Sequence, residues 1–227
     1  MSRVLALVEG PTERNFGQRV LGPYLGTSNV FLYPCVVGKP GHKGGARHWE
    51  ATKRELVRLI RQEPESYFTT MFDLYGLPPS WPGRQEAKER GLTGRTAASL
   101  IQEKVLADVT LELGPDFSAA RLIPYLQVHE YETLLFSDPA KLASVTASEP
   151  HVALHTERYQ EIVTQCGGCE LIDDGPATAP SKRIVGVARG YQKTVDGIVA
   201  AERITIPTMR ALCPHFDQWV MRLLELR

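Results

Sequence analysis

Three segments of this chain place carboxylates at the end of an apolar run. Val4-Leu5-Ala6-Leu7-Val8 is a run of strand formers that stops at Glu9-Gly10-Pro11. Ser66 to Phe72 is β-branched and aromatic and stops at Asp73, with Gly76 and Pro78 breaking the chain soon after. Arg121 to Val128 is a third run, and it passes directly into His129-Glu130-Tyr131-Glu132. Acids that end buried parallel strands lie where open α/β sheets gather ligands and catalytic groups. A carboxylate there is costly to bury unless a cation meets it. Hard divalent cations such as Mg²⁺ need only one or two carboxylates, completed by water and substrate phosphate. Glu9, Asp73, Glu130 and Glu132 are therefore candidate metal ligands, for Mg²⁺ or Mn²⁺. Glu130 and Glu132 are two apart and do not share a helix face. One is expected to point into the site while the other caps a helix or faces solvent. For Glu9 the alternative is a solvated or helix-capping role.

Two further segments carry charge that suits an anionic partner. Gly38-Lys39-Pro40-Gly41-His42-Lys43-Gly44-Gly45 is rich in glycine and is followed by Arg47 and His48. It lacks the G-x-x-x-x-G-K-[ST] pattern of a nucleotide-binding loop. A basic loop near an acidic edge suits phosphate contact, and a solvated surface loop is the alternative. In the second segment, Asp173-Asp174-Gly175-Pro176 precedes Ser181-Lys182-Arg183. Ser181 has the chemistry of a helix N-cap. Lys182 and Arg183 then fall in a first turn, where the helix dipole disfavours cations. Either an anionic partner or Asp173 and Asp174 would offset that.

Periodicity places the strands and helices around these residues. Strands are expected near 3–8, 29–37, 67–73 and 121–128, with Pro124 marking an edge or a bulge in the last. Helices are expected near 12–22, 48–62 and 95–113, and a Pro- and Gly-rich loop spans 76–94. This alternation implies an α/β fold with a mostly parallel sheet flanked by helices. Right-handed crossovers bring Glu9, Asp73 and Glu130/Glu132 to one sheet edge. Beyond residue 137 the pattern turns helical, near 139–146, 156–165, 181–190, 194–202 and 207–226. Residues 1–137 thus read as an α/β core and 138–227 as a helical extension packed on it. Gly10 can adopt a positive φ, and Pro11 suits a turn or a first helical turn.

Bulk composition excludes several classes. The 227 residues suit one domain or a domain with an added lobe, and Lys+Arg and Asp+Glu both number 26. Zero net charge argues against a strongly basic nucleic-acid binder but leaves room for a local basic patch. No apolar run approaches the ~20 residues of a membrane helix. No signal peptide precedes the first strand, so no membrane association and a cytoplasmic location are expected. Cys166-Gly167-Gly168-Cys169 is a lone C-x-x-C without the second pair a zinc ribbon requires. Structural thiols are its simpler reading.

The order E-G-x-x-E after the first strand (Glu9 to Glu13), an acid ending a later strand, and E-x-E after the last resembles the TOPRIM domain. That domain occurs in topoisomerases, bacterial primases, recombination proteins and OLD-type nucleases. More narrowly, V-E-G-P-T-E, T-T-M-F-D-L-Y-G-L-P, Q-V-H-E-Y-E-T-L-L-F-S-D-P, I-D-D-G-P-A-T-A-P-S-K-R-I and C-P-H-F-D-Q-W resemble a bacterial domain-of-unknown-function family with a TOPRIM-like core. That likeness runs from about residue 3 to 225. RloB-type proteins are similar more distantly, with Tyr131-Glu132 at their phenylalanine-glutamate motif. The resemblance implies a Mg²⁺-dependent site acting on a phosphodiester of DNA or RNA. It implies Glu9 as general acid/base and Asp73 as first acid of a D-x-D metal pair, with Glu132 and Lys182 completing the catalytic set. Lys43, His129, Lys182 and Arg183 would be the phosphate clamps. The second acid of the pair falls at Tyr75, which cannot replace a carboxylate; Glu130, Glu132 or Glu13 could restore its charge. Phage defence or mobile-element biology, with a separate AAA- or ABC-type ATPase partner, is the implied setting. Loss of catalysis at Tyr75 would instead leave a module that binds nucleic acid or the ATPase.

Overall fold

A computed structural model describes residues 1–38, 48–172, 175 and 177–226. It is an α/β fold. Its parallel strands are β1 (Ser2–Val8), β2 (Val30–Val36), β3 (Tyr67–Asp73) and the short β4 (Leu122–Ile123) and β5 (Leu126–Gln127). The spatial order is β2-β1-β3-β4, and β5 continues against β3 beyond β4. β1 is buried on both faces, which explains its unbroken apolar run. Pro34 lies in β2, an edge strand, where its missing N–H removes no ladder bond.

The expected strand over 121–128 is two short pieces separated by Pro124-Tyr125. The physical reason is local. Proline cannot donate to the ladder, and hydroxyls of β3 take over there. Thr70 Oγ1 donates to Tyr125 O at 2.8 Å and accepts from Tyr125 N at 2.9 Å, while Thr69 Oγ1 donates to Ile123 O at 2.6 Å.

Helices cover both faces of the sheet. On one face lie α3 (Trp49–Gln62), α4 (Arg84–Glu89) and α5 (Gly94–Leu113), packed on Leu5, Leu7, Phe68 and Phe72. α4 arises inside the stretch expected to be loop. On the other face lie α1 (Pro11–Phe16), a π-helical turn at Gly17–Leu21 and α2 (Gly22–Gly26). Gly17 is required there: a Cβ would stand 2.6 Å from Pro34 Cγ of β2. Gly10 has φ −161°, extended backbone open to any residue, so no left-handed turn is needed. Pro11 opens α1, as expected of a first-turn proline.

The chain beyond 137 completes this second layer. It contains α6 (Pro139–Thr146), α7 (Val152–Cys166), α8 (Pro180–Val187), α9 (Asp196–Ile204), α10 (Ile206–Leu212) and α11 (Pro214–Leu224). Cys213-Pro214 divides the expected single helix over 207–226 into α10 and α11. Phe16, Tyr131, Ile198, Phe216 and Trp219 share one hydrophobic core with Val4, Ala6 and Met71 of the sheet. The C-terminal segments are thus the layer that buries one sheet face. No helix among the described residues is long and apolar enough to cross a membrane.

Candidate acidic site

Glu9 follows β1 directly, and its Oε2 accepts the Asp73 backbone N–H at 3.0 Å. That bond ties the ends of two neighbouring strands together. Asp73 is the last residue of β3 and is 8 % exposed. Glu132 lies in the 3₁₀ turn Tyr131–Ser137, wholly buried. Glu13, one turn into α1, is also buried. Four carboxylates from four segments therefore face the C-terminal edge of the sheet.

The cation among them is Lys193, in the turn between α8 and α9. Its Nζ stands 3.0 Å from Asp73 Oδ2, 3.2 Å from Glu132 Oε2 and 3.8 Å from Glu13 Oε1. It also lies 5.8 Å from the Tyr131 ring centroid. The Tyr191 hydroxyl is 3.5 Å from Glu132 Oε1. One ammonium does not satisfy this cluster. Asp73 Oδ1 is buried without a hydrogen-bond partner, and Glu132 Oε2 meets Lys193 only as an ion pair outside hydrogen-bond geometry.

The titrations reflect that crowding. Burial, and then the Asp73 charge, push the Glu13 carboxyl up to about 7 against the opposing pull of Lys193. Burial likewise pushes Glu132 up to about 7, with Lys193 pulling it down and Asp73 and Glu130 raising it. Burial raises Asp73 as well. For Lys193, burial works against the charge, but Asp73, Glu132 and Glu13 outweigh it and raise its pKa well above the usual lysine value.

The other candidates separate from this group. Glu130 Oε2 accepts the Ser181 backbone N–H at 2.9 Å, placing its carboxylate at the start of α8. Of the two acids two apart, Glu132 points into the site and Glu130 caps a helix. That helix opens at Pro180 with Ala179 as its N-cap, so Ser181 is not the cap, and Glu130 stands at its first turn. Lys182 is exposed on α8, and the cluster's ammonium belongs to Lys193 instead. Arg183 Nε donates to Thr178 O at 2.8 Å. His129 is buried with φ +59°, and its Nε2 lies 3.2 Å from Glu170 O, so it supports a neighbouring loop. Tyr75 is 41 % exposed, and its backbone N–H donates to His129 O. Lys39, His42, Lys43, Arg47, Asp173 and Asp174 lie outside the described residues.

The donor set of the site is all hard carboxylate oxygen, the donor type that Mg²⁺ or Mn²⁺ takes, and Asp73 Oδ1 makes no hydrogen bond there. Among the described residues, no three His, Cys, Asp or Glu side chains already stand at the spacing of one ion's ligand shell. The donor type is that of a hard cation's ligands, and the Lys193 ammonium stands between Asp73 and Glu132.

A family model described as a domain of unknown function, DUF4276, matches residues 8–224. The chain belongs to that family, which spans the sheet, the acidic edge and the C-terminal helices alike. No curated protein and no solved structure matches it.

Proposed function

We propose that the acidic edge is a divalent-metal site that cleaves a phosphodiester, with Glu9, Asp73 and Glu132 as its principal acids and Glu13 and Lys193 completing it. The observation that carries this reading is the charge imbalance: Glu13, Asp73 and Glu132 face one ammonium, with an Asp73 oxygen left unpartnered. A bound divalent cation is one way to relieve the mutual repulsion of buried carboxylates, and protonation is the other. The resemblance to TOPRIM nucleases supports the same reading, and nucleic acid, DNA or RNA, is the substrate class it implies.

Bound Mg²⁺ would supply charge neutralisation at the scissile phosphate and lower the pKa of water. The chain's own residues do the rest. Glu9, held by the Asp73 N–H, is oriented at the strand end as general acid/base. Lys193 presents a fixed positive charge that can pair with a phosphate oxygen. Tyr131 and Tyr191 wall the site on the helical side and limit water around Glu132. An AAA- or ABC-type ATPase partner, in phage defence, belongs to this reading through the resemblance alone.

The test is calorimetric titration of Mg²⁺ and Mn²⁺ into wild type, Glu9→Gln and Asp73→Asn, followed by cleavage assays on single-stranded, duplex and supercoiled DNA and on RNA. Wild type is expected to bind and to cleave, and either substitution to abolish both. Absence of metal binding even with nucleic acid present would overturn the reading. One observation favours the second reading, a non-catalytic module: Tyr75, where the second metal acid would stand, is a solvent-facing tyrosine.

A further inference from the structure

The helix α3 carries an arginine stripe that the acidic site does not use. Arg54, Arg58 and Arg61 recur at helical spacing, i, i+4 and i+7, and all three are exposed. The opposite face of α3, with Leu56, Val57 and Ile60, is buried against the sheet. The guanidinium groups are not committed to carboxylates among the described residues. Arg54 Nε donates to Glu50 O at 3.2 Å and Arg61 donates to Glu112 O at 3.5 Å, both backbone carbonyls. By contrast Arg3, Arg19, Arg90 and Arg210 each pair with an acid: Glu63, Glu202, Glu86 and Asp217. The lysine of the same helix is likewise spent, since Lys53 pairs with Asp108 of α5 at 3.2 Å.

The stripe borders a groove of about 490 Å³ between α3 and the end of α5 at Glu112. Its course relates it to the acidic edge. In a parallel sheet, the helix that joins β2 to β3 starts on the side where β2 ends, which is the edge that carries Glu9 and Asp73. The Trp49 N–H at the start of α3 donates to Ser80 Oγ, in the loop that follows Asp73. From there the arginines step away from the acids over roughly 10 Å, at 1.5 Å per residue. Guanidinium groups whose forks are free of carboxylates suit phosphate oxygens.

We infer that the α3 stripe is a backbone-binding track for a nucleic-acid strand, holding phosphates along Arg54, Arg58 and Arg61 while one phosphodiester reaches the acidic edge. The inference rests on the proposed phosphodiester chemistry for what happens at the end of the track, but the binding itself does not need it. Contacts of this kind are independent of sequence and are displaced by salt.

The experiment is fluorescence anisotropy of labelled single-stranded DNA, RNA and duplex oligonucleotides across a KCl series without divalent metal. It compares wild type, Arg54→Gln/Arg58→Gln/Arg61→Gln, the corresponding triple lysine variant, and Arg222→Gln, an exposed arginine on α11 outside the stripe. Loss of three phosphate contacts should weaken binding at least about tenfold and lower the slope of log K against log salt by roughly 2–3. The lysine variant should recover most of the affinity, and circular dichroism should be unchanged throughout. Arg222→Gln should bind like wild type. Binding by the glutamine variant with wild-type affinity and slope, or no nucleic-acid binding by wild type, would overturn the inference. Arginine-dependent binding without cleavage under any metal would uphold it while overturning the proposed catalysis. Cleavage without arginine-dependent binding would do the reverse.

Discussion

Two buried glutamates of this protein sit in opposite circumstances. Glu170 lies at the start of α11, where its Oε1 accepts the N–H groups of His215 and Phe216 at 3.1 Å each, and its Oε2 accepts His215 N at 3.0 Å. Burial raises its pKa, and those N–H groups pull it back. The adjacent His215 ring is held neutral, burial pushing it down to about 4. Glu132 is no more exposed, yet it shares one lysine with Asp73 and Glu13. Glu170 is therefore a helix anchor, its charge consumed by backbone donors. Glu132 belongs to a group whose charge is only partly consumed. Burial of an acid does not distinguish structure from site; the supply of donors does.

That comparison breaks most visibly at Lys193. Lys193→Met should lower the unfolding free energy by about 3 kcal/mol at pH 8, because it strips the ammonium from buried carboxylates. The loss should shrink toward pH 5, where Glu13 and Glu132 hold protons. Urea titrations at both pH values measure it, and equal losses would mean that Lys193 acts through packing alone.

The wild type itself carries a pH signature. Glu13 and Glu132 are raised from 4.5 to about 7, so the folded state holds more protons than the unfolded chain between those values. Stability from this source is full below about 4.5 and declines as pH rises to about 7, by up to roughly 3 kcal/mol for each of the two groups. Glu13→Gln/Glu132→Gln should flatten the decline, and on the proposed function so should Mg²⁺. A wild-type profile that rises over this window would remove the crowded-carboxylate account.

Glu170→Ala should cost about 2 kcal/mol by uncapping α11. It should leave Mg²⁺ affinity unchanged, as calorimetry would register; a lost affinity would mean that the two glutamates are not separable. The smallest effect belongs to Glu130→Gln. The amide still accepts from Ser181 N, so stability should shift by no more than about 0.5 kcal/mol. The Glu132 carboxyl should titrate lower without its acidic neighbour, which carbon-detected NMR can follow; an unmoved titration would place Glu130 too far away to matter.

Much of the arrangement is legible along the chain because it is local. Apolar runs that stop at Glu9 and Asp73 mark strands and their ends, and Pro124 marks the break between β4 and β5. The two-residue spacing of Glu130 and Glu132 already demands that they diverge. The Pro- and Gly-rich look of 76–94 hides α4, which is only 6 residues long and buries little besides Ala87. Lys193 carries no such signal. It lies in a polar turn, 120 residues from Asp73, and nothing in its neighbours distinguishes it from Lys182.

The alternation of strands and helices, the sheet edge that gathers the acids, and the divergence of Glu130 from Glu132 are written in the order of residues along the chain. Those follow from periodicity and chain stereochemistry, which act over a few residues. Tertiary packing assigns the rest: which cation meets the acids, that Glu13 joins them, that Glu132 and not Glu130 turns inward, and that Glu170 is spent on a helix. Those outcomes depend on which charges are carried into the same small desolvated volume, and Coulomb energy there depends on distance through space and not on separation along the chain.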